Sequence, residues 1–104
     1  MRKGNLVKES KGRVTMRLMT DQGMSPTFNA GDFIVIDPND TNFDDSAFAI
    51  SWLRGVEPFV IRRVMLCREG SYQLRGDGVG VKTQYVEPED VRIIGKVVGL
   101  VRKL

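Results

Sequence analysis

The sequence predicts a mostly β domain, either a sandwich or a partly open barrel of short antiparallel strands. Three observations carry that expectation. Short apolar segments recur at close spacing along the chain, no segment sustains a helical period, and turn residues separate the segments, with 11 glycines in 104 residues. The length is that of one domain, able to bury a core without disulfides or metal. A content of 41% hydrophobic and 28% charged residues is that of an ordinary soluble globule.

The elements follow in order. Residues 1–12 are polar and basic without periodicity and read as a linker or loose arm, which leaves 13–104 as the folded domain. From Val14 the chain alternates, with Val14, Met16 and Leu18 on one face and Thr15, Arg17 and Met19 on the other, the pattern of a half-buried strand. Ser25-Pro26-Thr27-Phe28-Asn29-Ala30-Gly31 is turn chemistry with room for one helical turn. Phe33 to Ile36 is a continuous apolar run, short enough for a buried strand, and Asp37-Pro38-Asn39-Asp40 ends it. Ala47 to Leu53 is a second apolar strand closed by Arg54-Gly55, and Phe59 to Leu66 is a third. Glu69-Gly70 turns the chain into Tyr72-Gln73-Leu74, and Gly76 to Gly80 is a loop. Val91 to Leu100 is a long final strand in which Gly95 and Gly99 mark bulges or close approaches.

Charge and rare residues exclude several functions. Net charge is +3, and Arg2, Lys3, Lys8, Lys11, Arg13 and Arg17 crowd the N-terminal end with only Glu9 against them. A solvated linker to an N-terminal domain outside this chain is one reading, and part of a DNA-contacting surface is another. No aromatic residue interleaves with these cations, which speaks against single-strand binding. The chain has no histidine and one cysteine, Cys67, so it holds no internal disulfide, no Cys/His zinc site and no Ser-His or Cys-His pair. Cys67 reads as a small apolar core residue before it reads as a reactive thiol, and a lone cysteine suits a reducing cytoplasm. No apolar run approaches the roughly 18 residues of a membrane span, and no signal peptide is visible. The expectation is a cytoplasmic protein without metal or cofactor.

Four segments in order resemble the C-terminal domains of LexA-like and lambda-type repressors. Gly23-Met24-Ser25-Pro26-Thr27 is similar to that family's Ser-Met-x-Pro-Thr motif, and Gly31-Asp32 followed by Phe33-Ile34-Val35-Ile36-Asp37 to the strand after it. Phe59-Val60-Ile61-Arg62-Arg63-Val64 resembles the strand that carries the family's catalytic lysine, and Ile93-Ile94-Gly95-Lys96-Val97-Val98-Gly99 the closing strand. The resemblance spans roughly Val14 to Leu104 and implies a self-cleaving Ser-Lys peptidase fold.

The two positions that would do the chemistry depart from the pattern. Gly23 stands where the family has its nucleophilic serine, and Arg62 where it has the lysine. A Ser-Lys pair needs a neutral amine to take the hydroxyl proton. Glycine has no hydroxyl, and a guanidinium stays protonated below a pH of about 12. No Ala-Gly or Cys-Gly bond precedes Gly23, and Ala30-Gly31 falls after the motif. Ser25 lies two residues past the nucleophile position and reads as a turn-capping hydroxyl. Arg62, if buried, needs a carboxylate, for which Asp32, Asp37, Glu57 and Asp77 are candidates; otherwise it points to solvent from an edge strand.

The resemblance then implies a C-terminal oligomerisation domain of a temperate-phage repressor that does not cleave itself. Its partners would be itself, as a homodimer and higher-order oligomer, and operator DNA through an N-terminal helix-turn-helix domain outside this chain. Induction would need another route, such as an antirepressor protein. Candidate interface residues are Val91, Ile93, Val97, Val98 and Leu100 on the last strand, Trp52 as an aromatic anchor, and the acidic Glu87 and Glu89. Glu87, Glu89 and Asp90 match no metal-loop spacing and read as a solvated turn. Two other functions stay open: an active LexA- or signal-peptidase-type peptidase with a different nucleophile, and a small β-barrel that binds nucleic acid through Arg2, Lys3, Lys8, Lys11 and Arg13.

Overall fold

The structure, a computed structural model, describes residues 12–52 and 59–102. The basic arm, the Arg54-Gly55 strand closure and Glu57 lie outside the described residues. Among the described residues seven strands form one open antiparallel sheet: β1 Thr15–Leu18, β2 Phe33–Asp37, β3 Asp44–Trp52, β4 Val60–Leu66, β5 Tyr72–Arg75, β6 Gln84–Val86 and β7 Val91–Val101. Their order across the sheet is β1-β2-β7-β3-β4-β5-β6. The mostly β expectation holds, and the strands make a single sheet rather than two stacked ones. A 3-10 turn, Pro88–Asp90, leads into β7.

The central strand explains the architecture. Ala47, Phe48, Ala49 and Ile50 are all buried, although successive side chains of a strand point to opposite faces. Both faces of β3 are therefore covered. Ala47 and Ala49 join Met19, Met24, Ile34, Ile36 and Ile61 in one cluster. Phe48 and Ile50 join Val64 and Leu74 in a second, on the other face. Phe43 packs edge-on against Phe48 and Tyr72, at centroid distances of 5.1 and 5.3 Å, and seals the second cluster. Small alanines on one face pack with Met19 and Met24 of the 19–32 loop; the large residues on the other pack with Val64 of β4 and Leu74 of β5. Truncating fully buried Phe48 to alanine removes about 3–5 kcal/mol.

Irregular pairing occurs where glycine or unusual backbone permits it. The β3–β7 register shifts between Ala49 and Ile50, next to Gly95, and the β2–β7 register shifts between Val35 and Ile36, next to Gly99. Both expected irregularities of the last strand are present. A third shift lies between Asp44 and Ala47, where Asp45 takes a positive φ of 71°. The Ser25-Pro26 peptide bond is cis.

One expectation changes. The alternation from Val14 implies a half-buried strand, yet all four residues of β1 are exposed. β1 pairs with β2 as an outer strand, and its partner's buried residues, Ile34 and Ile36, stand opposite Arg17 and Thr15. The apolar stripe consequently lies on the face that the 19–32 loop does not cover.

Candidate functional site

The loop carrying Gly23 is closed at its neck by backbone bonds. Met19 N–H donates to the Asp32 carbonyl at 2.8 Å, and Gly31 N–H donates to the Met19 carbonyl at 2.8 Å. Met19 and Met24 are buried in the first cluster and anchor the loop on the sheet. Phe28 N–H closes one helical turn on the Met24 carbonyl at 3.0 Å, as the turn chemistry predicted. Buried Asp32 accepts the Asn29 N–H at 2.8 Å and a forked pair of bonds from Arg102, at 3.0 Å from Nε and 2.7 Å from Nη2. The Arg102 guanidinium first, and the Asn29 amide second, hold the Asp32 carboxyl below the usual carboxylate range.

Gly23 and Arg62 meet. Arg62 pairs with Asp21, and its Nη1 also donates to the Ile61 carbonyl at 2.7 Å. The other oxygen of Asp21 accepts the Gly23 N–H at 3.2 Å. The Gly23 carbonyl accepts the Gly78 N–H at 2.8 Å. A β-carbon added at Gly23 would stand 2.5 Å from Arg62 Nη1 and 2.7 Å from its Cζ and Nη2. The guanidinium thus fills the volume in which any side chain at position 23 would begin.

A second pair braces the same loop. Arg63 donates to both oxygens of Asp77, each at 2.8 Å, and the Thr27 hydroxyl donates to Asp77 at 2.6 Å. Arg63 chiefly, with help from the Thr27 hydroxyl, keeps the Asp77 carboxyl low, while Asp77 raises Arg63. Arg63 Nη1 also reaches the Asp45 carbonyl at 3.2 Å, and Arg75 pairs with Asp45. These are fixed ion pairs. No hydroxyl stands at position 23, and a guanidinium bound to a carboxylate has no proton to exchange near neutral pH.

The described partner of Arg62 is none of Asp32, Asp37 and Asp77, three of the candidates read in the sequence. Asp32 holds Arg102, Asp77 holds Arg63, and Asp37 accepts the Asn39 amide, while Glu57 lies outside the described residues. Asp21 does the work instead. It sits two residues before Gly23 in the same motif, and that adjacency was the available signal. The edge-strand alternative for Arg62 also fails, because β4 lies between β3 and β5.

The other expected residues scatter. Val91 is buried, Val97 packs against the first cluster, and Trp52 and Ile93 pack against the second. Val98 and Leu100 are exposed on β7, and Glu87 and Glu89 are exposed around the 3-10 turn. Ile93 also lines, with Pro38, Arg92 and Ile94, a cavity of about 380 Å³ that shares no residue with the Gly23–Arg62 site. Cys67 is half-buried in the β4–β5 turn. Among the described residues, no three His, Cys, Asp or Glu side chains group so as to hold a metal, and no helix is long and apolar enough to cross a membrane.

No curated protein matches the chain. The family model described as Peptidase S24-like matches residues 3–98, which includes the Gly23 loop, the Arg62 strand and most of β7. The chain belongs to the Peptidase S24-like family.

Proposed function

We propose that this is a non-cleaving member of the family: the C-terminal oligomerisation domain of a temperate-phage transcriptional repressor. The observation that carries the reading is the mutual fit of Gly23 and Arg62. The position assigned to the nucleophile has no hydroxyl, and the space for one is filled by a guanidinium pinned to Asp21. Restoring one residue alone would not restore a Ser-Lys pair. What the domain then contributes is association. Operator DNA would be read by an N-terminal helix-turn-helix domain outside this chain, and this domain would join such modules. Linkage makes later binding steps intramolecular, so operator occupancy rises steeply with repressor concentration and lysogeny is held by cooperative binding. Induction would come from an antirepressor protein rather than from damage-triggered cleavage.

The test is prolonged incubation of the purified chain at alkaline pH, where a lysine base would be neutral, followed by mass spectrometry. The intact mass is expected throughout. Two fragments that sum to the chain would overturn the non-cleaving reading, and their loss in Ser25→Ala would assign the nucleophile.

A further inference from the structure

Pro38 opens a gap in the sheet beside β7. β2 pairs with β7 from Val101 back to Lys96, and the last residue of β2 in that ladder is Asp37. Pro38 follows; it has no N–H to donate and cannot extend the ladder. The end of β2 lies close, since a β-carbon at Gly95 would stand 2.6 Å from the Asp37 carbonyl oxygen. Past that point β7 keeps β3 on one side, and among the described residues no strand pairs with Val91 to Ile94 on the other. The cavity of about 380 Å³ lined by Pro38, Arg92, Ile93 and Ile94 lies here. Ile94 packs on the first cluster and Ile93 on the second, so the two point to opposite faces of the sheet. A cavity that touches both lies alongside β7, in the place that β2 has left.

We propose that this cavity binds a small organic monoanion: a carboxylate with a short apolar body. The site stands apart from the non-cleaving and assembly readings and depends on neither. Its volume falls near the lower end of the roughly 300–1,000 Å³ of small-molecule sites, and Pro38, Ile93 and Ile94 give it apolar walls from which a hydrocarbon body displaces water. Arg92 supplies the charge. It is exposed, and among the described residues it forms no ion pair, whereas Arg62, Arg63, Arg75 and Arg102 are each held by an aspartate. A planar guanidinium matches the two oxygens of a carboxylate. Alternate residues of an unpaired strand edge direct their N–H groups sideways, which adds donors for the same oxygens. The surroundings limit the ligand to one negative charge. Glu89 and Asp90 are exposed just before β7, and Lys96 is already engaged by Asp40 and Asp44. A phosphate dianion or a nucleic-acid backbone would meet those carboxylates with a single cation to offset them. A neutral apolar molecule would desolvate Arg92 and the strand edge without pairing them.

The experiment is a titration of the whole chain, followed through its backbone amide resonances, with hexanoate, hexanamide and inorganic phosphate as probes. Hexanoate is expected to shift the amides of Arg92, Ile93 and Ile94 saturably, with a Kd on the order of 1 mM, as suits so small a ligand. Hexanamide has the same body without the charge, and phosphate has the charge without the body; each is expected to bind at least about tenfold more weakly. Arg92→Ala should weaken hexanoate by about tenfold or more, and Arg92→Lys should recover part of the loss. Arg92 is exposed, so both variants are expected to fold, and circular dichroism checks each. Hexanamide or phosphate binding as well as hexanoate would overturn the proposal. So would unchanged hexanoate binding by Arg92→Ala, saturable shifts only at residues remote from the cavity, or no saturable shift at all. The chain's mass in solution and its intact mass at alkaline pH are independent of every one of these results, so the proposal and the function proposed above fail separately.

Discussion

The loop site and the β1–β2–β7 face differ in what they leave unsatisfied. Around Gly23 the charges are paired within the chain: Arg62 with Asp21, Arg63 with Asp77, Arg102 with Asp32. On the open face, side chains as large as Phe33 and Met16 are about half exposed. A catalytic centre normally holds groups whose protonation is poised for a substrate. Here the Gly23 loop is braced by ion pairs, and the apolar side chains left partly uncovered lie on a different surface. The comparison teaches that the pairing of charges around Gly23 and the exposure of the face are separate properties, so each can be broken without the other.

Within the loop site the largest expected effect is at Arg62. Arg62→Ala should lower stability by about 2–3 kcal/mol in chemical denaturation, because it strands a partly buried carboxylate and empties the space above Gly23. Gly23→Ser should cost about 1–2 kcal/mol by pushing the guanidinium off Asp21, and adding Arg62→Lys should recover part of that loss, since a slimmer cation leaves room for the hydroxyl. An additive double variant would break the claim that the two positions fit each other.

Asp77→Asn should cost about 1 kcal/mol at neutral pH by removing the forked Arg63 bond and the acceptor for Thr27. Its pH dependence has a defined sign. Asp77 and Asp32 are both held below the usual carboxylate range in the folded chain. The stability they add is present above the unfolded carboxyl pKa of about 3.9 and is lost as pH falls through the lower folded values. Denaturation curves of the unmodified chain and Asp77→Asn should therefore converge in acid and separate above about pH 4. The smallest effect belongs to the open face. Phe33→Ser in dilute solution, where subunits are apart, should change stability by no more than about 0.5 kcal/mol.

Much of the fold was legible because the core is written in local patterns. The apolar runs at Phe33 to Ile36, Ala47 to Leu53 and Phe59 to Leu66 each mark a strand, and Gly95 and Gly99 mark where the last one deviates. β6 was not legible: Gln84, Tyr85 and Val86 make a three-residue edge strand that pairs with β5 and packs Val86 on the second cluster. The start of β3 at Asp44 was also hidden, since Asp44, Asp45 and Ser46 are polar and pair through a bulge. Alternation along β1 was real, but periodicity reveals that a strand has two faces and not which one the rest of the chain covers. At the site, the motif located Gly23 and Arg62, while the choice of Asp21 as partner belongs to tertiary packing across 41 residues.

The central claim is that this member of the family works by association in place of cleavage. Sedimentation equilibrium of the purified chain over a wide concentration range tests it most directly. The account predicts a reversible, concentration-dependent shift from monomer to dimer and larger species. A single monomeric mass at every concentration would contradict it.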